Sequence, residues 1–341
     1  MRVLPYSSEH FPQLEAAVRA AGAAQSLRRR DFVEWYYGTR DWCRLFLAFT
    51  KDGVLAAAIG IEQLPFEIGG EPLLVGGASN FVSFQPGAGG LLFLHWLRSS
   101  DAALVFGGSP DTHRILESQR QRWTYFAGVR TYTLNGRFAP RRGRHGWRAA
   151  AASVIRAVSP YVHPARRLER LLADRVVAPV RVAERSDFDA TLVPPSPGPF
   201  ALRLAPSLDY LRWRYDPTLP FVRYRCFRIA DETDRSRGYV VLNDQAAQLV
   251  VAQADADDPR VLAAGILAAV AEVASAGDPR RTVMLASAHG EMQTIFTAAG
   301  FVAAASDRAF ALGSGRKQIT VAPETSRWLV NYDWLDNGLR F

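Results

Sequence analysis

The stretches "DFVEWYYG" (Asp31–Gly38) and "DYLRWRYD" (Asp209–Asp216) are two spellings of one message. Asp, Trp and Tyr recur at Asp31/Asp209, Trp35/Trp213 and Tyr37/Tyr215, with Phe32/Tyr210 and Val33/Leu211 as conservative pairs. The offset is 178 residues (209 − 31). The same offset lays "LVF" at Leu104 on "TVM" at Thr282, Arg122–Trp123 on Gly300–Phe301, and "TYTL" at Thr131 on "AFAL" at Ala309. Four separated matches in one register read as an internal duplication, and a repeat of this length is a whole folding unit.

Each copy spells the same order of elements. In the first, an amphipathic helix near Glu9–Ala21 precedes the Trp35 helix. Strands follow at Leu45–Phe49 and Val54–Leu64, then a turn at "EIGG". A strand runs to about Phe84, and the loop "QPGAGG" opens a helix "LLFLHWLRS". Ala102–Phe106 is a short apolar run bounded by glycine, hence a buried strand, and Gly107–Gly108 turn the chain into another helix. In the second copy the strands fall near Val222–Ile229, Gly238–Leu242 and Gln248–Gln253, followed by a long alanine-rich helix and "TVMLAS". The chain is therefore expected to be α/β: a domain over 1–136, a basic connector over 137–180 and a second domain over 181–341.

Composition narrows the classes. With 341 residues, 48% of them hydrophobic, two ordinary cores are affordable. "MRVLPYSSEHF" lacks the apolar run of a signal peptide, and the apolar helix around Glu272 is short for a membrane span, so a cytoplasmic protein is expected. Cys43 and Cys226 form neither a disulfide framework nor a metal cluster. The net charge of +8 concentrates between Arg137 and Arg175, where ten arginines face Glu169 and Asp174. Such a run is either a solvated connector or a site for an anionic membrane surface or RNA. There is no nucleophile elbow, zinc spacing or P-loop.

The order of elements, with a glycine loop between the fourth strand and the next helix, resembles the GNAT acyltransferase superfamily. The Trp-x-Tyr helix and the duplication resemble tandem GNAT-like proteins associated with bacterial surface-polysaccharide synthesis and, more distantly, Fem-type aminoacyl transferases. The resemblance implies two tandem GNAT-like domains, each a mixed, mostly antiparallel sheet flanked by helices. It implies an acyl-CoA co-substrate, acetyl-CoA first, and a small-molecule or glycan acceptor. The superfamily holds the pyrophosphate of CoA with an Arg/Gln-x-x-Gly-x-Gly/Ala loop at a helix N-terminus. Here Gly87 and Gly89 match, Gly90 adds freedom, Phe84 stands at the arginine position and Gln85 comes one residue late.

The second loop, "ADADDPR" (Ala254–Arg260), sets three carboxylates where a pyrophosphate would lie. The family's Asn-x-x-Ala-x-x-x-Tyr falls on Asp111 and Ser118, so the thiolate-protonating tyrosine is a serine; in the second copy that position is Phe296. Glu62, on the strand lining the expected acceptor side, is the candidate base. His95 reads as a core-edge residue, Trp35, Tyr37, Trp213 and Tyr215 as packing, and the tail "SRWLVNYDWLDNGLRF" (Ser326–Phe341) as a clasp. A CoA-dependent acyltransferase leads this reading. A Fem-type transferase and a non-catalytic binding module stand beside it.

Overall fold

The computed structural model describes residues 1–38, 42–107, 114, 116–118, 122–134, 164–194, 196–276, 281–303, 310–321 and 324–335. The first half contributes strands β1 (Arg2–Pro5), β2 (Cys43–Phe49), β3 (Leu55–Ile68), β4 (Glu71–Ser83), β5 (Ala102–Phe106), β6 (Trp123–Tyr125) and β7 (Arg130–Leu134). Its helices are α1 (Phe11–Ala21), α2 (Arg30–Gly38) and α3 (Gly89–Ser99). The second half adds α4 (Pro164–Ala173), β8 (Arg181–Arg185), β9 (Leu202–Leu204), α5 (Leu208–Arg214), β10 (Tyr224–Ala230), β11 (Ser236–Asp244) and β12 (Gln248–Ala256). It ends with α6 (Pro259–Ala276), β13 (Thr282–Ser287), α7 (Gly290–Ala298), β14 (Val302–Ala303) and β15 (Phe310–Ser314).

Two mixed sheets result. The first runs β1-β2-β3-β4-β5-β15-β6, with β9 added to β3; the second runs β8-β10-β11-β12-β13-β7-β14. Position for position the orders match, except that each copy has handed its last strand to the other, where it takes the penultimate place in the sheet. β15 lies antiparallel on β5 (Leu312 opposite Leu104), and β7 lies antiparallel on β13 (Tyr132 opposite Leu285). These are the strands that the 178-residue offset superposes. Sheet membership therefore crosses a cut at 136 or 181 three times, through β7, β15 and β9.

The connector also changes character where it is described. Residues 137–163 lie outside the described residues. From Pro164 onward the chain is docked: Leu171 and Val177 are buried with the α6 helix, and Arg167 donates to the Ala299 carbonyl.

Burial explains the layering. Alternation on β3 sends Gly60, Glu62, Leu64 and Phe66 toward α2 and the second sheet, while Ile59 and Ile61 face Leu92 and Trp96 of α3. The central layer, between the sheets, is one continuous aromatic core of both copies. Trp35 and Trp213, the repeat's own tryptophans, meet there with ring centroids 5.7 Å apart, and Tyr36 stacks on Trp213. The second sheet's outer face is covered by the alanine-rich α6. Among the described residues no helix is long and apolar enough to cross a membrane.

Candidate functional site

Each sheet opens into a fork. β4 and β5 pair in parallel only over Val75–Gly77 and Ala102–Leu104, after which β4 continues to Ser83 and β5 to Phe106. β12 and β13 pair only over Gln248–Val250 and Thr282–Met284 before they separate. A bulge follows in each long arm. Opposite β3, the register of β4 slips between Ser79 and Val82, where Asn80 adopts φ +47°. Opposite β11, β12 slips between Val251 and Gln253. Bulges twist a strand and turn its polar groups out of the ladder.

The forks differ in what meets them. In the second, residues 331–333 run along the edge of β12 that β13 has released. Asp333 donates its amide to the Ala252 carbonyl at 3.0 Å. The Asn331 side chain accepts from the Ala254 amide at 3.0 Å and donates to its carbonyl at 3.2 Å. At the mouth, Asp258 caps α6 by accepting from the Arg260 and Val261 amides at 2.8 and 3.0 Å. Asp257 pairs with Arg237 at 2.6 Å. Asp255 is buried and accepts from Arg203 at 3.1 Å; burial pushes its carboxyl up to about 7, against the pull of Arg203. Asp258 thus occupies the helix terminus with the protein's own carboxylate, and residues 331–333 occupy the edge of the groove.

In the first fork the corresponding groups are left over. α3 begins with Ala88 at its N-cap and no side-chain cap. Gly87 takes φ +78°, a conformation that suits glycine. The amides of Gly87 and Gly89 donate to no protein group among the described residues, whereas those of Phe84 and Gln85 both go to the Ala56 carbonyl. Nothing lies within 4 Å of a Cβ built at Gly87 or Gly90, and Gly89 rests against the Phe81 ring. The loop carries no carboxylate. A helix N-terminus with free amides and open approach suits a pyrophosphate, so the amides of Gly87 and Gly89 fit the group, and Gly90, whose amide turns to the Gly87 carbonyl at 3.4 Å, keeps the approach open. Phe84 and Gln85 contribute through the turn they make rather than through a cation.

Glu62 lies directly across the ladder from Gly77, at the base of this fork. It is fully enclosed. Its carboxylate accepts from the Tyr36 hydroxyl at 2.8 Å on one oxygen and from the Tyr210 hydroxyl at 2.8 Å on the other, and Arg214 Nε stands 3.7 Å away. Arg214, also fully buried, donates to the Tyr224 hydroxyl (2.9 Å), Asp333 Oδ1 (3.0 Å), the Asp333 carbonyl (3.3 Å) and the Leu335 carbonyl (2.7 Å). Burial and the Glu62 charge hold the Tyr36 and Tyr210 hydroxyls far above their ordinary range. Burial opposes the Arg214 charge, but Asp333 and the surrounding tyrosines outweigh it and raise its pKa well above the usual value. One buried network thus binds α2 and β3 of the first copy to α5, β10 and the 324–335 segment of the second. Arg214 occupies the repeat position of Tyr36. A charge at one of two matching positions is the sequence signal that points to this network.

The other candidates are dispersed. Ser118 is exposed, beside the fully buried Leu116. Asp111 lies outside the described residues. His95 packs tilted on Phe46 with ring centroids 4.3 Å apart, and burial lowers its pKa. Tyr37, Trp213 and Tyr215 are buried, and Trp35 is partly buried among them. Trp328, Tyr332, Asp333 and Trp334 are buried, as a clasp requires. The described residues contain no group of three metal-ligating side chains.

Comparison with solved structures gives the same architecture. A tandem GNAT protein from the clavulanic acid biosynthesis pathway, solved without AcCoA, matches over 94% of this chain and 99% of its own at 13% identity and a TM-score of 0.53. A GCN5-related N-acetyltransferase from Anabaena variabilis matches over 91% and 72% at 12% identity and 0.52. Saccharomyces cerevisiae N-myristoyltransferase, with bound myristoyl-CoA and inhibitors, matches over 96% and 83% at 10% identity and 0.54. No family model and no curated protein sequence matches the chain. Identities this low speak for the fold alone, and on that evidence the chain has a tandem GNAT-like fold, two copies of one mixed α/β unit.

Proposed function

We propose that this protein is an acyl-CoA-dependent N- or O-acyltransferase that holds one acyl-CoA per chain, in the fork of the first sheet. The carrying observation is the contrast between the forks. The second is laced shut by Asn331 and Asp333 and capped by Asp258. The first keeps an uncapped helix start and unbonded glycine amides. Acetyl is the proposed acyl group and a sugar or cell-envelope precursor the proposed acceptor, both resting on the resemblance of the sequence.

In this reading the amides of Gly87 and Gly89 bind the pyrophosphate, and the α3 dipole favours its charge. Bound acyl-CoA supplies the activated thioester. Glu62 is a positioning group: with a tyrosine hydroxyl on each oxygen and no exposure, it fixes α2 and α5 beside the fork rather than removing a proton from an acceptor. Its enclosure, and the exposed Ser118, favour a second reading, an acyl-CoA-binding module without turnover.

Thermal unfolding with acetyl-CoA tests the donor site. Saturation at about 100 times the Kd stabilises by roughly 2.7 kcal/mol, and Gly89→Glu, which adds bulk and a negative charge at the helix start, abolishes the gain. No shift at millimolar acetyl-CoA in the native protein refutes the proposal. Release of free CoA in the presence of amine or sugar acceptors separates the enzyme from the binding module.

A further inference from the structure

The segment that closes the second fork does not stop there. After Asp333 the chain crosses to the first sheet, and Trp334 packs on Phe66 of β3 (4.8 Å) and Phe310 of β15 (6.0 Å). Leu335 follows with φ +68°, a conformation that costs a non-glycine residue energy. The Arg214 guanidinium holds its carbonyl. Its side chain is 2% exposed and lies where a Cβ at Gly77 would fall, so any residue other than glycine at 77 would collide with Leu335 Cδ2. Leu64 closes the same spot. Gly77 is the last residue of β4 paired with β5. The leucine therefore stands at the point where the first fork begins.

We infer that Leu335 is the floor of the acyl pocket and sets the length of acyl chain accepted. The inference rests on the donor reading above. From Ser83, beside the glycine loop, to Gly77 the strand spans about 20 Å, a length that an extended pantetheine arm fills. An acyl group carried at its end is directed at the fork base, and there it meets a branched side chain pinned by Arg214. A short acyl group fits above that floor; each further methylene must displace Leu335. The second copy, through its last described residues, thus sets the specificity of the first.

Calorimetric titration of CoA, acetyl-, butyryl-, hexanoyl- and octanoyl-CoA tests this, on the native protein and on Leu335→Ala. Leu335→Gly, which suits the positive φ, is the second variant should alanine unfold the segment. The native protein is expected to bind acetyl-CoA as well as CoA and to lose affinity as the chain lengthens. Alanine removes three carbons and moves the limit by about three, each newly buried methylene adding roughly fourfold in affinity. Glycine moves it further, and CoA itself binds all three proteins alike. Binding of CoA and acetyl-CoA with one unchanged chain-length profile in all three proteins overturns the floor while leaving the donor site intact. Failure of every thioester to bind the native protein overturns both.

Discussion

Arg214→Met should show how far the two copies depend on one another. The substitution keeps the aliphatic stem and removes four hydrogen bonds and the ion pair with Glu62. The bonds share one guanidinium, so they do not add. The relevant quantity is the cost of breaking a buried ion pair by removing one partner, about 3–5 kcal/mol. Arg214, Glu62 and Asp333 are all essentially excluded from solvent, so screening does not reduce it. Since total stabilities are commonly about 5–15 kcal/mol, at least about a fifth of the total is at stake. Equilibrium urea unfolding, followed by tryptophan fluorescence, measures it, because Trp213 and Trp334 sit on the elements that Arg214 joins. The triple variant Arg214→Met, Glu62→Gln, Asp333→Asn removes the stranded charges and should regain more than half of the loss. A loss below about 1 kcal/mol in the single variant, or a triple variant no more stable than the single, would show that this network does not hold the copies together.

Asp255 supplies a pH dependence. Its folded pKa, about 7, lies above the unfolded value, so its contribution is fully present below about pH 4 and is lost as pH rises through 7. The urea midpoint should fall between pH 5.5 and 8, and Asp255→Asn should flatten that slope; an unchanged slope refutes the assignment. Asp258→Ala removes the α6 cap at a cost of about 1 kcal/mol, and calorimetry should still count one CoA per chain, since residues 331–333 continue to fill the second fork. Residues 1–136 produced alone should not reach a native near-UV spectrum, because β5 then lacks β15, whereas mixing them with 137–341 during refolding should restore a one-to-one complex.

Much of this was legible beforehand. Trp35 and Trp213 disclosed the duplication, because a buried aromatic pair on matching helices keeps its spacing. The pairing of TYTL with AFAL disclosed that β7 and β15 are equivalent. It did not disclose their exchange: both strands satisfy either sheet, and pattern and order carry no record of which copy a strand joins. On charge alone the carboxylates of the second loop repel phosphate. They do more, since Asp258 occupies the helix start itself, a cap that its position just before α6 allowed one to foresee. From the sequence Glu62 stands as the candidate base on a strand. Only the packing shows Tyr36, Tyr210 and Arg214 around it, contributed from 26 to 152 positions away (62 − 36 and 214 − 62).

The strand exchange also governs the order of events at the ribosome. Leu104 of β5 finds its partner, Leu312, 208 residues later (312 − 104). At translation speeds of about 5–20 residues per second, β5 waits roughly 10–40 s with one edge unsatisfied. Throughout that interval the nascent chain offers an apolar strand, AALVF, to any other strand nearby. Overproduction therefore selects for whatever shields that edge, so slower synthesis at low temperature or a chaperone that binds extended apolar segments should decide the yield of native protein more than any substitution in the finished fold.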